Sequence, residues 1–296
     1  MVITSPANER LKQARRVRDG RDPELVFVEG ERLIESCLIS GLRLAVCFHS
    51  SGVTPRAEAI ITELHRRECP VFEMPEAVFA TVSDTVNPQG IILLAERPSP
   101  NFEDLDDDGV LARVIVEPGS AVRSDSARSN ASVPLGVPPL GVPLIVGIDA
   151  VQDPGNFGAI IRTAEAAGAT GIVAMRGSVD PFAPKTLRGS MGSAFRLPIV
   201  TDLEPGRFVD MAHERGLTVV ATSADAATLY TDYDWSQPTV VFFGNEGNGI
   251  GPELMEQSDQ RIRIPLCSPV ESLNVAAAAA VVLFEGARQR RAASAN

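Results

Sequence analysis

The 296-residue chain has few cysteines, few histidines and no long apolar run, and each shortage narrows its chemistry. Its four cysteines, Cys37, Cys47, Cys69 and Cys267, form no CxxC pair, and His49, His65 and His213 stand far from any Cys or His at ligand spacing. No bound metal is expected, and the thiols should be free in a reducing cytoplasm. The longest apolar run, Val275 to Phe284, has ten residues, about half of the roughly 20 that a bilayer crossing needs. It reads as a buried helix. The N-terminal MVITSPANERLKQARR is polar from Thr4 onward, so neither a signal peptide nor a membrane anchor is expected.

Positive charge is also scarce: 27 Lys and Arg against 38 Asp and Glu leave a net charge of −11. That balance excludes indiscriminate coating of nucleic acid, whose non-specific affinity comes mainly from neutralised phosphates. The bases that are present cluster. Residues 8–21 hold Arg10, Lys12, Arg15, Arg16, Arg18 and Arg21 against Glu9 and Asp19, and a second basic-leaning stretch holds Arg176, Lys185, Arg188 and Arg196. Acid concentrates elsewhere, as in FEDLDDD at 102–108. Solvated helix faces are the plain alternative reading of both basic stretches.

The length suggests two domains. Residues 1–97 alternate strand and helix signals: LVFVEG, ERLIESCLISG, LRLAVCF, AEAIITELHRR, PVFEM and GIILLAE. Residues 98–142 are rich in Pro, Ser, Gly and Asp, and the tandem PLGVP at 134–138 and 139–143 marks an extended linker. VLARVIVE at 110–117 is the exception, a possible extra strand. Residues 143–296 return to strand, loop, helix, as in PLIVGIDA, NFGAIIRTAEAAG, TGIVAM, LTVVATSA, PTVVFFGN and QRIRIPL. Buried strands alternating with helices predict an α/β domain with a mostly parallel sheet, whose ligands bind beyond the carboxyl ends of the strands.

Three polar loops fall at those ends: DPGNFG (153–158), GNEGNGIG (244–251) and CSPVESLN (267–274). In the first, Asn156 is suited to cap the helix or to enter a site, and Arg162 falls off the apolar stripe one turn beyond Gly158. In the second, glycines let backbone N–H groups approach an anion or a nucleotide, but neither this loop nor the first fits GxGxxG with a later acid. That disfavours a Rossmann-type dinucleotide enzyme. In the third, Ser272 or Asn274 can cap the Ala-rich helix, which leaves Glu271 unexplained.

Taken in order, IDAVQDPGNFGAIIRTAEAAG, VVFFGNEGNGIGPEL and IRIPLCSPVESLNVAAAAAVVLFE resemble the three signature motifs of the SpoU (TrmH) family of RNA ribose 2′-O-methyltransferases, in the SPOUT superfamily. KTLRGSMGSAFRLPI resembles a further stretch of that family, and FVEGERLIESCL with SDTVNPQGIILLAE resembles its substrate-binding domain, an α/β module like ribosomal protein L30e. The linker is longer than the family commonly carries.

The resemblance implies a trefoil knot in the C-terminal domain, a homodimer, and methyl transfer from S-adenosylmethionine to a ribose 2′-hydroxyl. Ribosomal RNA, 23S foremost, is the first expected substrate and transfer RNA the second; a non-catalytic RNA-binding or ribosome-assembly protein is the reading of another class. Carried over from the family, Arg162, Asn156, Glu246 and Asn274 are the catalytic candidates. Glu246 is expected to hold loop backbone donors or Arg162. Thr222, Gly244, Asn245, Gly249, Ile264, Leu266, Ser272 and Leu273 are the cofactor candidates. Arg10, Lys12, Arg15, Arg16 and Arg188 are the candidates for RNA contact.

Overall fold

The computed structural model describes residues 1–98 and 142–294. The candidate strand at 110–117 and nearly all of the linker lie outside the described residues. Those described form two compact units, one of residues 1–98 with 180–196, the other of 142–179 with 197–294.

In chain order the N-terminal elements are α1 (Glu9–Arg18), β1 (Leu25–Glu29), α2 (Glu31–Ile39), β2 (Leu44–Ser50), α3 (Pro55–Arg66), β3 (Val71–Met74), α4 (Glu76–Phe79) and β4 (Ile91–Glu96). The four strands form one sheet in the order β1-β4-β2-β3, with only β2 and β3 parallel. Its core joins Leu11, Ala14 and Val17 from one face of α1 to Phe27, Phe48 and Phe72. Capping follows the local chemistry: Thr54 accepts the Ala57 N–H at 3.1 Å and Pro55 supplies a first residue that needs no donor. Cys37, Cys47 and Cys69 are buried in this unit, and burial pushes the Cys37 thiol up to about 12 and that of Cys69 to about 11. Cys267 is exposed.

The chain continues with β5 (Leu144–Ile148), α5 (Pro154–Ala167), β6 (Gly171–Met175), α6 (Pro184–Ser190), β7 (Ile199–Leu203), α7 (Pro205–Glu214), β8 (Thr218–Thr222), β9 (Thr228–Leu229), β10 (Thr239–Phe243), α8 (Pro252–Gln257), β11 (Gln260–Arg263) and α9 (Val275–Ser294). The seven strands, all parallel, lie in the order β7-β6-β5-β10-β8-β11-β9. Every residue of β5, β6 and β10 is buried, which is why these strands read as unbroken apolar runs. Phe208 of α7 meets Phe242 of β10 edge to face, ring centroids 5.6 Å apart.

The apolar run at 275–284 opens α9, a twenty-residue helix. Its buried Arg290 donates to the carbonyls of Val142, Pro143 (2.8 Å) and Gln237 (3.0 Å). Burial lowers its pKa to about 10, so it stays charged at neutral pH, with Tyr233 and Asp234 favouring the charge. Among the described residues no helix is long and apolar enough to cross a membrane, and no group of His, Cys, Asp and Glu is arranged to hold a metal ion.

Residues 180–196 lie within the stretch read from sequence as the C-terminal domain, yet they pack with the N-terminal unit. Two ion pairs fasten them there. Arg97 forks onto both Asp180 oxygens (2.9 and 2.5 Å) with its guanidinium 4.9 Å from the Phe182 ring, and Arg188 donates to Asp84 at 2.7 Å.

Candidate functional site

Strands β5, β10, β8 and β11 are neighbours, and their registers align the carboxyl ends, so the three polar loops leave the sheet side by side. The first loop turns into α5 through Asp153, whose Oδ1 accepts the Asn156 N–H at 2.8 Å. Asp153 is therefore the cap. Asn156, three residues on, keeps its amide for other partners.

Those partners come from the other two loops. Asn156 Nδ2 donates to Glu246 Oε1 at 2.9 Å, and Asn274 Nδ2 donates to Asn156 Oδ1 at 3.0 Å. Asn274 also caps α9, its Oδ1 accepting the N–H groups of Ala276 (3.0 Å) and Ala277 (3.3 Å). The amide orientations follow from the carboxylate at one end and the helix donors at the other, since neither end works reversed. Every donor in the chain points the same way, from the α9 N-terminus through two amides to Glu246, an arrangement in which each bond polarises the next.

Burial by itself would raise the Glu246 pKa. Hydrogen bonds from Asn156 and from the backbone of Glu246, Gln152 and Asp153 outweigh it and hold the carboxyl below its usual range. The unfolded chain then binds the proton more readily than the folded one, so the stabilisation is complete above the ordinary value of 4.5 and is lost as pH falls through the lower folded value. We predict that Glu246→Gln melts below the unsubstituted protein at neutral pH and that the two melting curves converge under acid conditions. A gap that is independent of pH would show that the charge contributes nothing.

The second loop is shaped from within. Asn245 and Gly249 exchange backbone hydrogen bonds at 2.9 Å, Asn245 Oδ1 accepts from Gly247 (2.9 Å) and Asn248 (3.2 Å), and its Nδ2 reaches the Ala150 carbonyl of the first loop at 2.8 Å. Ala150 itself sits at φ 55, a conformation that L residues rarely adopt. Buried Asp149 accepts the Gly251 N–H at 2.6 Å and closes the loop. Sequence reasoning passed over this residue, although a lone acid ending an apolar strand was a usable signal. At Gly244 a Cβ would lie 2.2 to 2.3 Å from Gly249 and Ile250 backbone atoms, so no side chain fits.

The other candidates divide by position. Thr222 ends β8 and donates to the Phe242 carbonyl at 2.8 Å. Ile264 and Leu266 follow β11, and Ser272 and Leu273 precede α9; Leu266, Ser272 and Leu273 are exposed. Arg162 is exposed on α5 and, among the described residues, makes no hydrogen bond or ion pair. The expected alternative of Glu246 holding Arg162 is therefore replaced by Glu246 holding Asn156 and, at 3.5 Å, the Gln152 N–H.

The basic helix is partly spoken for. Arg15 donates to Pro6 and Thr81, Arg10 lies 4.6 Å from the Phe72 ring and Lys12 pairs with Glu9 at 2.7 Å, which leaves Arg16 exposed without a described partner. Arg18 likewise fastens to Val82 and Ser83.

The arrangement suits an S-adenosyl ligand: glycine backbone that a Cβ would block, a hydroxyl at Thr222 and exposed apolar side chains at Leu266 (36%) and Leu273 (39%) for an adenine face. Residues 143–284 match the family model described as SpoU rRNA methylase family, and residues 27–100 match that for RNA 2′-O ribose methyltransferase substrate binding. The chain is 42% identical over 286 residues to the 23S rRNA (guanosine(2553)-2′-O)-methyltransferase RlmP of Bacillus subtilis, covering 95% of this chain and 97% of that protein. It is 31% identical to an uncharacterised tRNA/rRNA methyltransferase of Synechocystis, over 99% of this chain and 95% of the relative. An AdoMet-bound rRNA methyltransferase from Sinorhizobium meliloti superposes with a TM-score of 0.77 at 29% identity, covering 97% of both chains. With its motifs, fold and strand-end loops in agreement, the chain belongs to the SpoU rRNA methylase family and is an S-adenosylmethionine-dependent RNA ribose 2′-O-methyltransferase.

Proposed function

We propose that the substrate is 23S ribosomal RNA, methylated at one ribose 2′-hydroxyl, and that Arg162, Asn156, Glu246 and Asn274 form the catalytic group. The observation that carries this reading is the one-way chain of hydrogen bonds from α9 through Asn274 and Asn156 to Glu246, which ties all three strand-end loops together. The near full-length likeness to a 23S rRNA methyltransferase supports the substrate. Transfer RNA is the second substrate, favoured by the name of the Synechocystis relative.

When bound, S-adenosylmethionine supplies an electrophilic methyl group on a sulfonium centre. Thr222, Gly244, Asn245, Gly249, Ile264 and Leu266 would hold it at the strand ends, with Ser272 and Leu273 from the third loop. The linked amides keep those loops in one geometry and would hold the ribose oxygen in place against the bound methyl donor; such positioning is worth up to roughly 7 to 11 kcal/mol. An arginine has five N–H donors and no acceptor, which makes it a poor base. Arg162 acts as a clamp on the neighbouring phosphate and as a donor to the oxygen as it gains negative charge; the O–C bond would form as the methyl–sulfur bond breaks, and the hydroxyl proton would pass to solvent water at this exposed position.

The enzyme is further proposed to be a knotted, cytoplasmic homodimer. Ala277, Val281 and Phe284 share one exposed stripe of α9, with Val281 37% and Phe284 46% exposed, a face that suits a second copy. Sedimentation showing a monomer at micromolar concentration would remove that assignment.

Radiolabelled methyl transfer to separated ribosomal and transfer RNA, followed by alkaline digestion, tests the reaction. A 2′-O-methyl group blocks alkaline cleavage, so label should appear in alkali-resistant dinucleotides from 23S RNA. Label in transfer RNA alone would exchange the substrates. No label in either, with cofactor binding intact, would count against both.

A further inference from the structure

A cavity of about 480 Å³ lies within the N-terminal unit, where the β1–α2 junction and the 85–89 loop meet α6. The volume falls in the range of about 300 to 1,000 Å³ typical of small-ligand sites. We propose that it receives one unstacked nucleotide of the substrate RNA, apart from the nucleotide that is methylated. The proposal rests on the family's reaction being RNA methylation and names a recognition site for it.

The walls are fixed before any ligand arrives. Glu29 is buried and accepts from Ser83, from the Asp84 N–H at 2.8 Å and from Thr85 Oγ1 at 2.8 Å, which pins the loop to the end of β1. Gly30 has φ 102, and a Cβ there would come within 2.8 Å of Gln89 Oε1, the atom that accepts the Glu31 N–H at 3.0 Å. The conformation requires glycine, and a side chain there would displace the Gln89 amide. The Arg188 pair with Asp84 holds α6 against the same loop, and Met191 ends that helix at φ 52 with 41% of its surface exposed.

The lining groups still available are mostly donors. Both Glu29 oxygens are occupied, and Glu31 Oε1 accepts from Thr54. Among the described residues, Arg32 makes no hydrogen bond and only a coulombic interaction with Glu35, whose oxygens Arg56 already binds, Asn87 makes no hydrogen bond, Gln89 Nε2 is unengaged, and Arg188 uses only Nη1. Donors beside the apolar Leu33 and Met191 fit a ligand with a phosphate, acceptor edges and a flat apolar face. A base splayed from an RNA loop has all three. A free nucleotide shares that chemistry, but residues 27–100 match a substrate-binding model for RNA, which favours the polymer. Residues 180–196 leave the chain between β6 and β7 of the second sheet, so one segment of the methyltransferase sequence completes the recognition site.

Filter binding of the full-length protein to an unmodified 23S rRNA transcript, over a series of salt concentrations, tests this. Arg32→Gln with Asn87→Ala should weaken binding about tenfold and lower the salt slope by about one, the signature of a lost phosphate contact. Neither residue has a described hydrogen-bond partner, so S-adenosylmethionine affinity by calorimetry should stay within twofold and report an intact fold. Arg32→Lys should restore the slope. RNA affinity within twofold of the unsubstituted protein, or no binding by that protein, would overturn the proposal. Calorimetric binding of guanosine monophosphate that the double variant abolishes, with RNA binding unaffected, would reassign the cavity to free nucleotides. Methyl transfer by the unsubstituted protein is read separately: its absence alongside Arg32-dependent RNA binding would sink the proposed substrate and leave this site standing.

Discussion

Arg162→Ala should lower the methyl-transfer rate by about 10²- to 10³-fold, the cost of removing one donor to a developing oxyanion, while S-adenosylmethionine affinity changes no more than a few-fold. The expectation follows from its surroundings. Arg162 is exposed and has no described partner, so truncation breaks no network and leaves no buried group unsatisfied. Its effect must therefore appear when RNA is present. Arg162→Lys keeps a cation but loses the planar fork, and should recover only part of the rate. Single-turnover kinetics with saturating cofactor would measure it. Lost cofactor binding in the alanine variant would make Arg162 structural, and an unchanged rate would remove it from the mechanism.

Gly244→Ala should abolish S-adenosylmethionine binding altogether. The added Cβ would fall 2.2 Å from the Gly249 carbonyl carbon and 2.3 Å from the Ile250 nitrogen. These are backbone atoms that cannot rotate away, and the Asn245–Gly249 bridge at 2.9 Å must open to make room. Opening it also disturbs the Asn245 amide that reaches Ala150, so the damage spreads from the second loop to the first. Gly247→Ala is the matched control. A Cβ there meets only Asn245 Oδ1, at an ordinary 3.5 Å, and binding should survive. Calorimetry on the two variants decides: retained binding in Gly244→Ala would mean that the loop does not hold the cofactor.

Much of the catalytic unit was legible from residue order because its signals are local. Strands buried on both faces need continuous apolar runs, and the polar loops that follow them had to sit at the sheet's carboxyl edge. A cap on the Ala-rich run was likewise readable, at Ser272 or Asn274, and the structure makes it Asn274. Asn156 was harder. Asp153 and Asn156 stand three residues apart and both suit a cap; only the turn geometry makes Asp153 the acceptor and frees Asn156 for Glu246 and Asn274. Charge was only partly legible in the same way. Arg15 and Arg18 belong to a basic cluster in sequence, but the folded chain uses them to fasten α1 to residues 81–83.

By itself, the sequence determined the α/β class, the alternation that builds the parallel sheet, the three loops and the family that their motifs mark. These depend on side-chain polarity and spacing over a few residues. Tertiary structure alone decided that Glu246 is held by Asn156 across 90 residues, that Asp149 closes the second loop across 102, and that residues 180–196 join the N-terminal unit through pairs 83 and 104 residues apart. Each of these rests on hydrogen-bond geometry between segments far apart in sequence, which no local pattern encodes.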